Sequence, residues 1–155
     1  MNDDLQARKF QKKDWVESIL QYNPLAEEEK IDKNIFISFV EQYGTEVLNR
    51  SCPEHVTVSS IILNPQMDAM LMVYHNIYDS YSWTGGHADG SLNFLEKALE
   101  EAKEETGAEI IYPYSSAILS LDRLPVIAHV KRGKEVAAHH HLNIAYGFIA
   151  SDCQE

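Results

Sequence analysis

A glycine-rich loop followed at once by an amphipathic helix constrains the fold of this sequence most strongly. The loop is residues 83–90, Trp-Thr-Gly-Gly-His-Ala-Asp-Gly, and the predicted helix is Leu92–Thr106. The apolar residues spaced for one buried helix face are Leu92, Leu95, Ala98, Leu99 and Ala102. At about 100° per residue, the other side places three acidic residues within roughly a third of the circumference: Glu101, Glu104 and Glu105. The pattern predicts a helix that packs on a core and presents clustered carboxylates beside the loop.

The clustered glutamates favour a site for a hard divalent cation. Like charges at i,i+3 and i,i+4 repel by roughly a few tenths of a kcal/mol per pair, and Lys97 offsets only part of this repulsion. Magnesium prefers carboxylate oxygens and would convert the repulsion into binding. Gly85 and Gly86 would let the backbone approach a ligand closely. A solvated acidic helix face is the alternative, since such charge runs commonly have no ligand.

The spacing of residues from Gly86 to Ala108 resembles the Nudix hydrolase signature. That signature is a glycine, a glutamate further along, and then Arg-Glu-hydrophobic-any-Glu-Glu-any-Gly-hydrophobic. The positions that fit it are Gly86, Glu101, Ala102, Glu104, Glu105, Gly107 and Ala108. Two positions depart from it: Leu92 stands in place of the first glutamate, and Glu100 in place of the arginine. The Gly-Gly-His-Ala-Asp-Gly form of the loop is similar to that of one branch of the family.

The resemblance implies an α/β fold, a Nudix-like α/β/α sandwich with a mixed β-sheet, and a metal-dependent hydrolase. Such enzymes cleave a pyrophosphate bond in a nucleoside diphosphate linked to another moiety, with Mg²⁺ or Mn²⁺ as cofactor. By position, the implied metal ligands and catalytic residues are Glu101, Glu104 and Glu105. The predicted substrate-binding residues are Gly85, Gly86, His87, Asp89, His139 and His141. A loop-shaping role is the alternative for His87 and Asp89, and a structural role is the alternative for the two later histidines.

The departures at Leu92 and Glu100 support a second hypothesis about function. A glutamate cannot supply the hydrogen-bond donors with which an arginine would orient a neighbouring ligand. The alternative function is therefore a catalytically impaired Nudix-like module that binds a nucleotide or a protein partner. A weaker alternative is a protein that contacts its partner through its N-terminal helices. For the enzyme, the predicted partner is a small-molecule nucleotide, and a homodimer is left open.

Charge and composition exclude other classes of function. At 155 residues and 45% hydrophobic content, the chain suits one globular domain with an ordinary core. A formal net charge of -11 argues against a binder of duplex nucleic acid, which would present a basic face. No apolar run approaches the roughly 20 residues of a membrane span, so we predict no membrane partner and a cytoplasmic location. Cys52 and Cys153 form no disulfide framework and are predicted to be free thiols.

The order of elements predicts an N-terminal helical extension over residues 1–50 and a Nudix domain over residues 53–155. Asp14 is predicted to cap the first helix of the extension. The second helix is predicted to bury Ile31, Ile35, Phe36, Phe39, Val40 and Tyr43. The resemblance implies further elements after residue 152, so the domain is expected to be short at its C-terminal end.

Strand patterns follow in the second half of the chain. Strands are predicted at 55–63, 69–75, 109–112, 117–121 and 139–150, with a polar loop at 76–82 and a break at 122–125. On the last strand, His139 and His141 share one face and His140 takes the other. Alternating histidines suit a transition metal, but two ligands alone do not make a zinc site. The basic turn 131–134 is either a solvated loop or a contact for a substrate phosphate.

Overall fold

The computed structural model describes residues 15–151. Helix α1 covers residues 15–21, and it is followed by α2 (Glu27–Tyr43), a 3₁₀ helix (Gly44–Leu48) and, later, α3 (Phe94–Thr106). The strands are β1 (Glu54–Leu63), β2 (Met70–Leu71), β3 (Val73–His75), β4 (Ser80–Ser82), β5 (Thr84–His87), β6 (Ile111–Pro113), β7 (Ser120–Val126), β8 (His129–Lys131), β9 (Lys134–Val136) and β10 (His139–Ala150). The predicted cap Asp14 and the thiol of Cys153 lie outside the described residues. Within residues 15–151, no helix has the length and apolar character needed to cross a bilayer.

The protein is a mixed α/β structure built on a six-stranded sheet. Its central pair is β1 and β10, which run parallel in a register that places Glu54 beside His140 and Leu63 beside Ile149. Strand β1 also pairs antiparallel with β2 and β5, and β10 pairs antiparallel with β6 and β7. Two small hairpins, β3–β4 and β8–β9, stand apart from this sheet. The predicted α/β class with a mixed sheet is confirmed.

The two central strands give the sheet an apolar face and a polar face. The apolar face carries the buried even-numbered residues Val56, Val58, Ile62, Leu142, Ile144, Tyr146 and Phe148. The polar face carries the odd-numbered residues His55, Thr57, Ser59, His139, His141 and Asn143. Successive side chains of a strand point to opposite faces, so one sequence alternation separates the core from the polar groups.

All three helices contribute to one core on the apolar face. The buried cluster combines the apolar residues of β1 and β10 with Trp15, Ile19, Phe36, Phe94, Ala98 and Ala102 of the helices. Burial of a phenylalanine ring is worth roughly 1.5–3 kcal/mol. The buried residues of α3 are Phe94, Ala98 and Ala102, and Phe94 is absent from the predicted stripe. Leu95 and Leu99, which were predicted to be buried, are partly buried at the margin of the cluster.

Helix α3 has a defined cap at each end. It begins at Phe94, later than the predicted Leu92, because the Asn93 side chain accepts a hydrogen bond from the Glu96 amide and ends the loop there. At the other end, Gly107 adopts the left-handed conformation with φ 70°, and its amide donates to the Lys103 carbonyl. Gly107 therefore ends the helix as a left-handed glycine cap.

The buried face of α2 differs from the prediction at its N-terminal end. Phe36 is buried, whereas Ile31 is 59% exposed, so the prediction is wrong at Ile31. The reason is that this turn of the helix presents Glu29 and Asp32 to β7. Their carboxylates accept hydrogen bonds from backbone amides of that strand at 3.1 Å and 2.9 Å. Hydrogen bonds to the backbone of β7 therefore replace apolar packing at this end of α2.

Glu29 ties the N-terminal helices to the sheet. Its carboxylate accepts hydrogen bonds from the Tyr22 hydroxyl at 2.5 Å and from the Leu25 amide at 2.8 Å. It also accepts the hydrogen bond from the Leu121 amide of β7. The same hydroxyl oxygen lies 2.9 Å from the Leu119 carbonyl oxygen, so the single Tyr22 proton is shared between the two acceptors. One side chain thus joins the segment between α1 and α2 to the edge of the sheet.

We predict that Glu29→Ala lowers the free energy of unfolding by about 1–3 kcal/mol, because it removes the charged acceptor of these hydrogen bonds. Chemical denaturation followed by circular dichroism measures the change. Glu28→Ala is the matched control, because Glu28 lies in the same first turn of α2 and is exposed. Equal losses of stability in the two variants would contradict the role assigned to Glu29.

Several segments predicted as loops are strands. Residues 84–87 of the glycine-rich loop form β5 against β1, and residues 122–125 of the predicted break lie within β7 against β10. The predicted loop 76–82 contains β4, which pairs with β3. Pairing with a neighbouring strand supplies hydrogen bonds that outweigh the turn preference of glycine and proline. Pro125 is tolerated because β7 pairs on one side only among the described strands.

Candidate functional site

A cleft of about 910 Å³ lies over the polar face of the sheet. Strands β1, β5 and β10 form its floor, and the hairpins β3–β4 and β8–β9 flank it. Its lining residues with acidic or imidazole side chains are Glu101, Glu105, His55, His87, His139, His141 and the hairpin residues His75 and His129. Cavities that bind small molecules usually enclose about 300–1,000 Å³. The cleft is therefore large enough for a nucleotide-sized ligand.

The glycines of β5 let α3 approach the cleft closely. Gly85 and Gly86 pair with Ser59 and Val58 of β1. A Cβ added to Gly86 would lie 2.5 Å from Oε2 and 2.7 Å from Oε1 of Glu101. A Cβ added to Gly85 would lie 2.5 Å from the Val58 carbonyl oxygen. A side chain at position 85 would meet backbone, and one at position 86 would displace the Glu101 carboxylate, which rests against bare backbone at the wall of the cleft.

Glu101 and Glu105, one turn apart on α3, both line the cleft. The Lys97 ammonium contacts Glu101 Oε1 at 2.9 Å, and the Gly85 amide hydrogen-bonds to the Glu105 carboxylate. Burial raises the pKa of the Glu105 carboxyl, and the charges of Glu101 and Glu104 raise it further, while the bond from Gly85 opposes the shift. Negative charge is therefore crowded at this end of the cleft.

Glu100 and Glu104 of α3 do not line the cleft. Glu104 is exposed and does not line it, although its charge acts on Glu105. Glu100, at the position of the motif arginine, has a side chain that is 55% exposed and lies 3.6 Å from Lys97. Of the three predicted metal ligands, the cleft thus brings together Glu101 and Glu105, and Glu104 does not line it.

Four histidine rings, here called the histidine cluster, meet at the other end of the cleft. They are His55 on β1, His87 at the end of β5, and His139 and His141 on β10. The His55 ring centroid lies 5.1 Å from that of His87 and 5.0 Å from that of His141. The His139 centroid lies 5.3 Å from that of His55 and 4.9 Å from that of His141. The parallel register, which places His55 beside His141, assembles the cluster.

Backbone carbonyls determine which nitrogen donates a hydrogen bond in two rings of the histidine cluster. Nδ1 of His55 lies 3.0 Å from the Cys52 carbonyl oxygen, and Nδ1 of His139 lies 2.8 Å from the Ala137 carbonyl oxygen. A carbonyl oxygen only accepts, so Nδ1 is the donor in each contact, and the neutral ring with this tautomer has its lone pair on Nε2. Nε2 of His139 lies 3.1 Å from Nε2 of His141. Nε2 of His55 is buried and has no hydrogen-bond partner within the described chain.

Three rings of the histidine cluster are held neutral. Burial lowers the pKa of His141 to about 3, and the adjacent His87 and His55 rings lower it further. Burial also lowers the pKa of His87 to about 4, with a further contribution from the Arg50 guanidinium. The pKa of His55 is lowered, again chiefly by burial. At pH 7 these imidazoles are therefore uncharged, and a neutral imidazole can accept a hydrogen bond or bind a metal.

Asp89, a predicted substrate-binding residue, is held by Arg50. Its two carboxylate oxygens accept hydrogen bonds of 2.8 Å from Nε and Nη2 of Arg50. These bonds are the main reason that the pKa of Asp89 is lowered. Asp89 also adopts a left-handed backbone conformation with φ 47°. This geometry matches the loop-shaping alternative for Asp89, while Arg50 itself lines the cleft.

Buried polar side chains connect the two ends of the cleft. Oδ1 of Asn143 accepts hydrogen bonds from the Thr57 hydroxyl at 3.0 Å and from the Ser59 hydroxyl at 2.8 Å. All three residues are buried and line the cleft. Satisfied buried polar groups of this kind hold a single arrangement of side chains. The floor is therefore polar and ordered from the carboxylates to the histidine cluster.

The structure gathers most of the predicted site residues around one cleft: Gly85, Gly86, His87, Glu101, Glu105, His139 and His141. Several residues at the site were not predicted from sequence, among them Arg50, His55 and Lys97. Nothing in the sequence around His55 marks it as a site residue, and Lys97 is considered there only as a partial balance for the negative charge of the glutamates.

No protein-family model matches the chain, and no curated protein matches it. Function is therefore inferred from the cleft.

Proposed function

We propose that this protein is a metal-dependent hydrolase of the Nudix type, which cleaves a pyrophosphate bond in a nucleoside diphosphate linked to another moiety. The observation that carries the proposal is the fit of Glu101 against Gly86, which sets a carboxylate of α3 into the wall of the cleft. A glycine segment and a glutamate helix in contact are what the resemblance requires. The α/β/α sandwich is part of this proposal, and the described residues supply its mixed sheet and one helical layer.

Glu101 and Glu105 are the residues that would hold Mg²⁺ or Mn²⁺, and the charge of Glu104 acts on Glu105 from outside the lining of the cleft. Their oxygens are the donors that hard cations prefer, and the crowding of negative charge around Glu105 is relieved by a cation. When bound, the cation neutralises charge on the pyrophosphate and orients the attacking water. The Gly85 amide positions Glu105, and Lys97 positions Glu101, before any ligand is present.

The remaining walls of the cleft suit a nucleotide. Lys131 lines it and provides positive charge for phosphate groups, and Arg50, which is paired with Asp89, lines it as well. Tyr78 and Trp83 also line it and are 44% and 41% exposed, so their rings are accessible for stacking on a base. Cationic and aromatic groups in one cleft support a small-molecule nucleotide as the substrate.

The contact between Lys97 and Glu101 favours the enzyme over an impaired binding module. In the Nudix signature an arginine at position 100 helps to orient a glutamate ligand, and Glu100 has no donor for this purpose. Lys97 provides one instead from one turn earlier on α3, and both side chains of the Lys97–Glu101 pair are only 18% exposed. The binding module remains the second candidate, because Leu92 packs against the core and supplies no carboxylate.

The direct test is a screen of nucleoside diphosphate derivatives with Mg²⁺ or Mn²⁺, read as release of nucleoside monophosphate or phosphate. Metal-dependent turnover of at least one derivative is the expected result. Wild-type protein that binds a derivative but turns none over with either metal would contradict the hydrolase and favour the binding module.

We predict that the double variant Glu101→Gln/Glu105→Gln binds Mg²⁺ at least about tenfold more weakly by calorimetry, because ligand charge is removed at constant side-chain volume. Folding stability should be nearly unchanged or slightly higher, since repulsion between carboxylates is relieved. Glu100→Gln is the matched control, because Glu100 lies on the same helix and faces solvent. Unchanged Mg²⁺ affinity in the double variant would show that the metal site is wrongly assigned.

A further inference from the structure

Three ring nitrogens of the histidine cluster converge on one point of the cleft. One ligand atom from each of His55, His139 and His141 lies within 4.8 Å of the other two, and the two Nε2 atoms on β10 are 3.1 Å apart. A tetrahedral Zn²⁺ ion with Zn–N bonds of about 2.0–2.1 Å separates neighbouring nitrogens by roughly 3.3 Å. Small side-chain movements therefore bring the three nitrogens to bonding distance of one ion.

The hydrogen bonds behind the rings turn their lone pairs towards this point. The carbonyls of Cys52 and Ala137 hold Nδ1–H of His55 and His139, so the Nε2 atoms are the available donors of electron pairs. A backbone carbonyl on the far ring nitrogen is the usual support of a metal-binding histidine, because it fixes tautomer and ring orientation.

A purely structural role accounts for only part of the histidine cluster. A hydrogen bond between the two Nε2 atoms would satisfy His139 and His141. It would leave Nε2 of His55, a residue that is 6% exposed, without a partner among the residues described. Buried polar atoms in folded proteins are nearly always paired, so the unpaired Nε2 calls for a ligand.

We propose that His55, His139 and His141 bind one divalent transition metal ion of the zinc class. Imidazole ligands favour zinc, copper, iron and nickel, whereas carboxylates favour magnesium, so this site differs in chemistry from the Glu101–Glu105 end of the cleft. Three protein ligands leave a fourth coordination position, which water or an anionic group of a ligand in the cleft can occupy. The histidine site is independent of the proposed hydrolase activity, because no carboxylate of α3 takes part in it.

The test is calorimetric titration of tag-free, metal-stripped protein with Zn²⁺, together with the metal content after dialysis. We expect one Zn²⁺ per chain, and Co²⁺ in its place should show the intense visible absorption of a four-coordinate ion. His139→Ala and His141→Ala should each weaken Zn²⁺ binding by at least about tenfold. His140→Ala is the matched control: His140 lies between them on β10 but faces Glu54, at 3.6 Å, on the opposite side of the sheet.

Affinity that is equal in wild type, His139→Ala and His141→Ala would overturn the proposal, and so would an equal loss in His140→Ala. Thermal melts followed by circular dichroism separate lost binding from lost folding. His139→Gln is the second variant, because it keeps a polar side chain at that position, and it should be folded yet bind Zn²⁺ weakly. The double variant Glu101→Gln/Glu105→Gln should keep wild-type Zn²⁺ affinity; loss of binding there would place the ion on the carboxylates instead.

Discussion

Replacing Gly86 with alanine is expected to lower kcat/KM for metal-dependent hydrolysis by about a hundredfold or more. The new methyl group would lie 2.5 Å from Oε2 of Glu101, well inside van der Waals contact, so the carboxylate has to leave the wall of the cleft. A displacement of about 1 Å in a positioned group can cost about a hundredfold in rate. Turnover of the substrate found in the nucleotide screen, compared with wild type, measures the effect.

Gly147→Ala is the matched control for this substitution. Gly147 lies in β10 of the same sheet, and an added Cβ would meet its nearest neighbour, Cβ of Tyr114, at an ordinary 3.8 Å. Overpacking costs typically about 1–3 kcal/mol, so urea unfolding of both variants is needed to separate stability from activity. A folded Gly86→Ala protein with wild-type turnover would refute the placement of Glu101 in the site.

Lys97→Met is expected to lower kcat by about a hundredfold with little change in KM, because it removes the donor that positions Glu101. Methionine keeps the apolar stem but lacks the ammonium that lies 2.9 Å from Oε1 of Glu101. Both side chains of the pair are only 18% exposed, so urea unfolding of the variant is needed to separate lost positioning from lost stability. Steady-state kinetics at saturating Mg²⁺ separate kcat from KM.

Two further variants test whether the loss in kcat comes from the missing ammonium donor of Lys97. Lys103→Met removes an exposed positive charge from the last turn of the same helix and should leave kcat near wild type. Lys97→Arg restores both charge and donors and should recover much of the lost rate. If Lys97→Met is as active as wild type while Glu101→Gln is inactive, Glu101 is held by another group.

Local patterns in the sequence were sufficient to predict the main elements around the site. The end of α3 at Gly107 follows from a glycine after a periodic apolar run, and β10 has the predicted bounds, His139 and Ala150. Strand β1 begins at Glu54, one position before the predicted start. Each of these features depends on residues close together in the chain, which is why periodicity and turn residues predict them.

The assembly of the histidine cluster could not be predicted, because it depends on which strands pair and in which direction. The register that places Thr57 beside Asn143 joins residues 86 positions apart, and nothing local in either strand specifies it. The same register brings His55, one of 7 histidines in the chain, beside His141. Gly85 and Gly86 were predicted as a loop for a related reason. The contact between the Gly86 backbone and the Glu101 carboxylate exists only once β5 has paired with β1, and the sequence does not specify that pairing.

The parallel pairing of β1 with β10 also sets when the site can form as the chain folds. Helix α3 is a local structure, whereas the central pair joins the first long strand of the sheet to the last described one. Non-local pairing has to overcome the entropy of closing a long loop before its contacts contribute, so topologies of this kind fold slowly. Until β10 docks, the glutamates of α3 lie on a helix without a completed cleft, and His55 has neither of its partners on that strand. Competence to bind a ligand is therefore acquired late in folding, with the closure of the sheet.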